Sequence, residues 1–357
     1  MYGRYAAILF LLSFSFLLPF SAVMSAADQA RTPAPGDPGY VAEDPQLARL
    51  VGTPGPSIKL QTLDGHTIDL ANVYGQKPIY LKLWATYCLP CRAQMPEFEK
   101  TYDRFRDRMQ IVSVNAGVGD DADKVRAFVT KSGSHIPVAI DDGSLGAWLK
   151  MEATPFHVLI GRDGRIAYAG HQDGPKLDAA IAKVLDSPAP GTGASINTAK
   201  VESVSVLKPG DRIPAIDLRR PDDSPLRFDG TATAKPRAVL FMSVWCESYL
   251  KQSEPESVEA CRRVREQVDT LSQAGTVDWL GVATHLWTTP EDLAKYQTKM
   301  KTRVPLGVDS DGLAFRVFGI RRLPAVALIG ANGRLVRVLG PDDTDLAAAV
   351  EKLAPPK

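Results

Sequence analysis

Hydrophobic and polar positions fall into two similar rounds along the chain, separated by stretches rich in proline and small residues. In the first round, apolar and polar residues alternate through Ile58 to Leu70 around Asp64-Gly65, the pattern of a hairpin. The nearly continuous apolar run Pro78 to Trp84 reads as a buried strand, and a helical stretch follows to about Arg108. A further apolar strand (110–115), an amphipathic helix, and a strand placed just after a proline in Glu152 to Ile160 come next. A turn at Asp163-Gly164, another strand and a last helix close the round. The second round repeats these signals with Ile213 to Leu218, Arg237 to Trp245, a long helix to about Ala274, Val277 to Ala283, Arg321 to Ile329 and a turn at Asn332-Gly333. The order strand, helix, strand, helix, strand, strand, helix predicts an α/β fold: two tandem domains, each a central mixed sheet flanked by helices.

Outside the rounds the pattern changes character. Met1 to Arg4 are short and basic, an apolar run extends from Tyr5 to about Val23, and Ser25, Ala26 and Ala27 follow, the order of a secretory signal peptide over 1–27. An uncleaved membrane anchor is the alternative, because the run approaches the roughly 18 to 20 residues that span a bilayer. Residues 28–55 hold five prolines, with Pro56 just after them, and no apolar period, and read as a flexible segment; 187–206 reads as a linker. The two domains are then expected at 56–186 and 207–357. The 42 lysines and arginines balance 41 acidic residues, so no strong field draws nucleic acid or an acidic membrane surface.

Four cysteines, an even number, would be delivered by such a leader to an oxidising compartment, for a bacterial-looking signal the periplasm. Cys88 follows a strand and opens a helix, where the positive end of the helix dipole stabilises a thiolate. Cys91 lies one turn on, on the same helix face, placed to resolve a mixed disulfide formed at Cys88. A zinc site would need a second ligand pair, and His135, His157 and His171 are too scattered to supply one. Haem attachment needs a histidine where Arg92 stands, and a structural bridge across three residues closes too small a loop to stabilise much. Redox exchange through a reachable Cys88 is the expectation, with no metal and no cofactor beyond the Cys88, Cys91 pair itself.

With Trp84-Ala-Thr-Tyr-Cys-Leu-Pro-Cys-Arg-Ala-Gln-Met-Pro96 and Thr154-Pro155 sixty residues later, the segment from about 50 to 186 resembles the TlpA/ResA-like branch of the thioredoxin superfamily. The resemblance implies a cis proline at Pro155 beside the pair, a substrate-backbone contact at Thr154, and exported cysteine-containing proteins as substrates. It also implies action as reductant or isomerase, with a membrane electron donor such as a DsbD/CcdA-like protein. Two departures bear on mechanism. Gln94 stands where relatives often have a glutamate, and Lys82 where thioredoxins bury an aspartate and many relatives an asparagine. A cation at residue 82 would favour the thiolate; the alternative is a lysine that snorkels to solvent. Trp84, Tyr87, Pro90, Thr154, Pro155 and Phe156 could collar Cys88 for an extended peptide, or serve as core.

The second round reads Trp245-Cys246-Glu-Ser-Tyr249, a CxxY in place of CxxC, so this domain is expected to be degenerate. A structural Cys246 to Cys261 bridge requires the chain to fold back, which Pro255 permits. The domain would then be a docking module for substrate proteins or for the first domain. Two other functions compete with the enzyme: a two-domain adaptor whose CxxC is vestigial, and a thiol peroxidase working through Cys246.

Overall fold

Strand Ile79–Trp84 shows how the pattern becomes a sheet: all six residues are buried, with neighbours on both edges and both faces. A computed structural model describes residues 45–191 and 196–353, all within one compact unit. The expected leader at 1–27 lies outside the described residues. Among the described residues no helix is long and apolar enough to cross a membrane.

In the first domain the sheet order is Val138–Ile140, Gln110–Asn115, Ile79–Trp84, Phe156–Ile160, Ile166–Gly170. The first three strands run parallel and the last two antiparallel. Side-chain alternation along Ile79–Trp84 divides the core: Ile79, Leu81 and Leu83 face one apolar cluster, while Tyr80 and Trp84 face two others on the opposite side. Each fully buried aliphatic side chain contributes about 1.5–3 kcal/mol, so this strand anchors both layers. The helix Leu89–Phe105 packs on the Tyr80 and Trp84 side through Cys91, Gln94 and Phe98.

The second domain repeats this arrangement in a seven-stranded sheet ordered Pro225–Phe228, Ile216–Arg219, Leu306–Asp309, Asp278–Thr284, Arg237–Met242, Ala325–Ile329, Leu335–Leu339. Its extra two strands are a hairpin added at one edge. The corresponding hairpin of the first domain, Lys59–Gln61 with Thr67–Asp69, forms its own small sheet, tied to the main one by a single bridge from Thr62 to Ala139. The registers superimpose the domains residue by residue. Ile79 pairs with Gln110 and Ile160, and Arg237 with Asp278 and Ile329. Trp84 therefore corresponds to Met242, Tyr87 to Trp245, Cys88 to Cys246, Cys91 to Tyr249 and Pro155 to Pro324. Both domains thus share one strand plan.

Two stretches read as unstructured are partly built in. A short helix, Pro45–Ala48, opens the described chain, and Leu47 and Leu50 pack on the first core. Within the expected linker, Ala199–Lys200 pairs in parallel with Pro56–Ser57, and Ile196 packs on the same core. These apolar residues are isolated among prolines and small residues, so no periodicity marks them.

Candidate functional site

Cys88 is the N-cap of the helix Leu89–Phe105, and its sulfur accepts the Cys91 N–H at 3.1 Å. The helix starts here because Cys88 is extended and Pro90 fits the first turn, where a missing N–H costs nothing. Cys88 and Cys91 are joined in a disulfide with Cα atoms 5.2 Å apart. The Cys91 N–H and the positive end of the helix dipole are both aimed at the Cys88 sulfur, an arrangement that favours negative charge on sulfur at that position.

The loop before Cys88 is fixed by a residue that the sequence did not single out. Asp120, fully buried, accepts hydrogen bonds from Thr86 N–H at 2.7 Å and from Asn115 Nδ2 at 2.8 Å, and pairs with Lys124 at 3.1 Å. Thr86 O in turn accepts from Arg92 Nε at 2.6 Å, which ties the loop to the helix it enters. Tyr87 Oη donates to Val118 O at 2.6 Å.

Beneath the helix lies a polar layer of unusual composition. Lys82 is fully buried and does not snorkel; its Nζ lies 5.0 Å from the centroid of the Phe98 ring and has no hydrogen-bond partner among the described residues. Desolvation pushes its pKa down to about 7, with Asp173 opposing the shift. Across the strand pair stands His157, 1% exposed. Tyr80 Oη and His157 Nδ1 are 2.7 Å apart, and His157 Nε2 and Gln94 Oε1 are 3.0 Å apart. Gln94 Nε2 donates to His171 O at 3.1 Å. Burial first, and then the Lys82 charge and His171, hold His157 well below the ordinary histidine range. In the second domain the registered positions are Leu240 and Val326, so the fold itself does not require this polar pair.

The expected collar is brought together in part. Trp84 and Tyr87 share one apolar cluster with both cysteines, and Trp84 packs on Phe128 at 5.1 Å. The Thr154–Pro155 peptide is cis, as the resemblance implies, and both residues are buried. Phe156 points the other way, into the core cluster with Leu81 and Leu83, because it follows Pro155 on a strand whose side chains alternate. Pro90 is half-buried.

Cys88 itself is not reachable as expected: it is 1% exposed, because the second domain lies over it. The CxxY segment of that domain supplies the cover. Trp245 stacks on Tyr87 with centroids 5.0 Å apart, Trp287 meets the same ring edge-on at 5.8 Å, and Tyr249 Oη accepts the Leu89 N–H at 3.0 Å. The short helix Cys246–Tyr249 ends before the chain turns into Pro255–Ser272, and this bend brings Cys246 to Cys261 in a second disulfide with Cα atoms 6.5 Å apart. Trp245 and Tyr249 escaped sequence reasoning as site residues because their partners lie in the other domain. Their one signal is that each stands at the position of a motif residue, Tyr87 and Cys91.

Residues 50–185 match the Redoxin family. The thiol-disulfide oxidoreductase ResA of Halalkalibacterium halodurans is 36% identical over 126 residues, covering 34% of this chain and 69% of that protein. ResA of Bacillus anthracis is 28% identical over 151 residues, covering 41% of this chain and 84% of that protein. The Thioredoxin-like protein YneN of Bacillus subtilis is 32% identical over 116 residues, covering 32% of this chain and 68% of that protein.

Proposed function

The chain belongs to the TlpA/ResA-like thioredoxin family of thiol-disulfide oxidoreductases, and from that premise we propose that Cys88 and Cys91 exchange disulfides with exported cysteine-containing proteins, in the direction of reduction or isomerisation. The observation that carries this reading is the Cys91 N–H directed at the Cys88 sulfur at the start of a 17-residue helix. The Cys88 thiolate attacks one sulfur of the substrate disulfide, forming a mixed disulfide and releasing the other sulfur as a thiolate. Cys91, deprotonated, then attacks the Cys88 sulfur, reforms the Cys88–Cys91 bond and releases the second substrate thiolate. The substrate gains two electrons and, with solvent protons, two thiols; the pair loses two electrons.

A dithiol donor must return those electrons, and in this reading it is a membrane protein of the DsbD/CcdA-like kind facing the periplasm. The leader-like sequence at 1–27 supports that location. Cys88→Ser tests the function directly: it should abolish insulin reduction, and Cys91→Ser should accumulate a mixed disulfide. Equal insulin reduction by wild type and Cys88→Ser would remove the reading.

A further inference from the structure

The Cys88 face of the first domain already has an occupant. One apolar cluster holds Cys88, Cys91 and Tyr87 together with Trp245, Leu250 and Cys246 of the second domain. At its centre Tyr249 Oη takes the Leu89 N–H, a donor of the helix's first turn that has no partner within the helix. The centre is surrounded by polar contacts between the domains. Lys124 meets Glu254 at 2.8 Å, Arg322 meets Asp121 at 3.3 Å, and Arg321 donates to Asp141 O at 2.7 Å. Gly117 has φ +68°, and a Cβ there would strike Asp141 O and the Arg321 guanidinium, so the approach is close.

An incoming disulfide must bring a sulfur atom into contact with Cys88, which this cover forbids. Substrate and second domain therefore compete for one surface, and what the second domain presents there is chemically specific. It offers aromatic rings to Tyr87 and a hydroxyl acceptor to the Leu89 N–H. We infer that the Trp245–Tyr249 segment is a built-in competitor for the substrate site, and that the polypeptides able to displace it carry an aromatic residue beside the cysteine to be processed. The inference rests on the exchange reading above. The substrate's ring replaces Trp245 on Tyr87, and one of its backbone or side-chain oxygens replaces Tyr249 at Leu89.

The test uses the full chain with two separate variants, Tyr249→Ala, which removes the central hydrogen bond, and Glu254→Lys, which sets two lysines against each other at the rim. The first readout is the rate at which glutathione reduces the Cys88–Cys91 bond, followed by alkylation and mass spectrometry of those two cysteines; it reports access alone. Each variant should react about tenfold faster than wild type, the size expected for losing one hydrogen bond from a closed face. Unchanged rates in both variants, with native circular dichroism, would overturn the competitor. The second readout is turnover of cystine peptides with tyrosine or alanine next to the half-cystine. Wild type should prefer the tyrosine peptide about tenfold; equal turnover would overturn the substrate class. Faster glutathione reduction with no peptide or insulin turnover would keep the competitor and sink the exchange reading instead.

Discussion

Tyr87 and Trp245 occupy the same position in two copies of one fold, each directly before a cysteine, and they stack on each other with ring centroids 5.0 Å apart. Each also donates its polar hydrogen to a backbone carbonyl beyond the neighbouring parallel strand, Tyr87 to Val118 and Trp245 to Leu286. The domains therefore meet through equivalent faces. An aromatic pair of this kind adds about 0.5–1.5 kcal/mol beyond the area it buries. Tyr87→Ala should loosen the closed arrangement, seen as increased hydrogen exchange at Leu89 and Trp287, whose N–H groups donate across the domains to Tyr249 and Glu152; protection unchanged at Trp287 would show that the stack does not join the domains.

Lys82 should make stability depend on pH in a definite direction. Its folded pKa of about 7 lies below the free value of about 10.4, so between these values the unfolded chain binds the extra proton. Stability from this group therefore rises as pH increases from about 7 to about 10, and below pH 7 the full cost is present. Lys82→Leu, which copies Leu240 of the second domain, should stabilise by about 2–5 kcal/mol at pH 6, with the gain vanishing near pH 10–11. Urea unfolding of both proteins at pH 6, 8 and 10 measures this, and a gain that stays constant with pH would refute the assignment.

Removing the second disulfide should weaken the chain without stopping exchange. The Cys246–Cys261 bond closes a loop of 15 residues, for which chain entropy gives about 3 kcal/mol. Cys246→Ala combined with Cys261→Ala should lower the denaturant midpoint of the second domain by a corresponding amount and leave peptide disulfide turnover at wild-type level or above. Wild type should consume no hydrogen peroxide, since Cys246 is bonded and 3% exposed; peroxide consumption lost in Cys246→Ser would restore the peroxidase alternative.

Asp120 offers a positional test. Alanine there leaves Thr86 N–H and Asn115 Nδ2 without their buried acceptor and Lys124 without one of its two carboxylates. The expected cost is about 3–5 kcal/mol, the range for breaking a buried charged partner. Asp120→Asn keeps one acceptor oxygen and should recover part of it in thermal unfolding; equal loss in both variants would assign the effect to charge alone.

The tandem plan and the Cys88, Cys91 pair were legible because each rests on local signals: period-two alternation, apolar runs of strand length, and a motif at a helix start. Cys246 to Cys261 was legible for a related reason, since Pro255 marks the bend that joins them. What could not be read was anything set by the meeting of the two domains. Burial of Cys88, the hydrogen bond from Leu89 to Tyr249 and the rim around Lys124 link residues more than a hundred positions apart, with no periodicity to announce them. Lys82 shows a subtler failure. A lone lysine in an apolar run normally reaches solvent, and only the sheet register, which sets it opposite His157 under the helix, shows that it cannot.

The parallel pairing of Ala199–Lys200 with Pro56–Ser57 limits how far the closed arrangement can open. The chain is fastened to the first domain at Lys200, and by Leu207 it is already bonded to the second, its N–H donating to Val317 O at 2.8 Å, which leaves a leash of about six residues, roughly 20 Å at full extension. A domain held that short never diffuses away; it returns at an effective concentration on the millimolar scale. Any partner protein works against that standing concentration at each turnover, so weak, casual encounters with other thiol proteins are filtered out before chemistry begins.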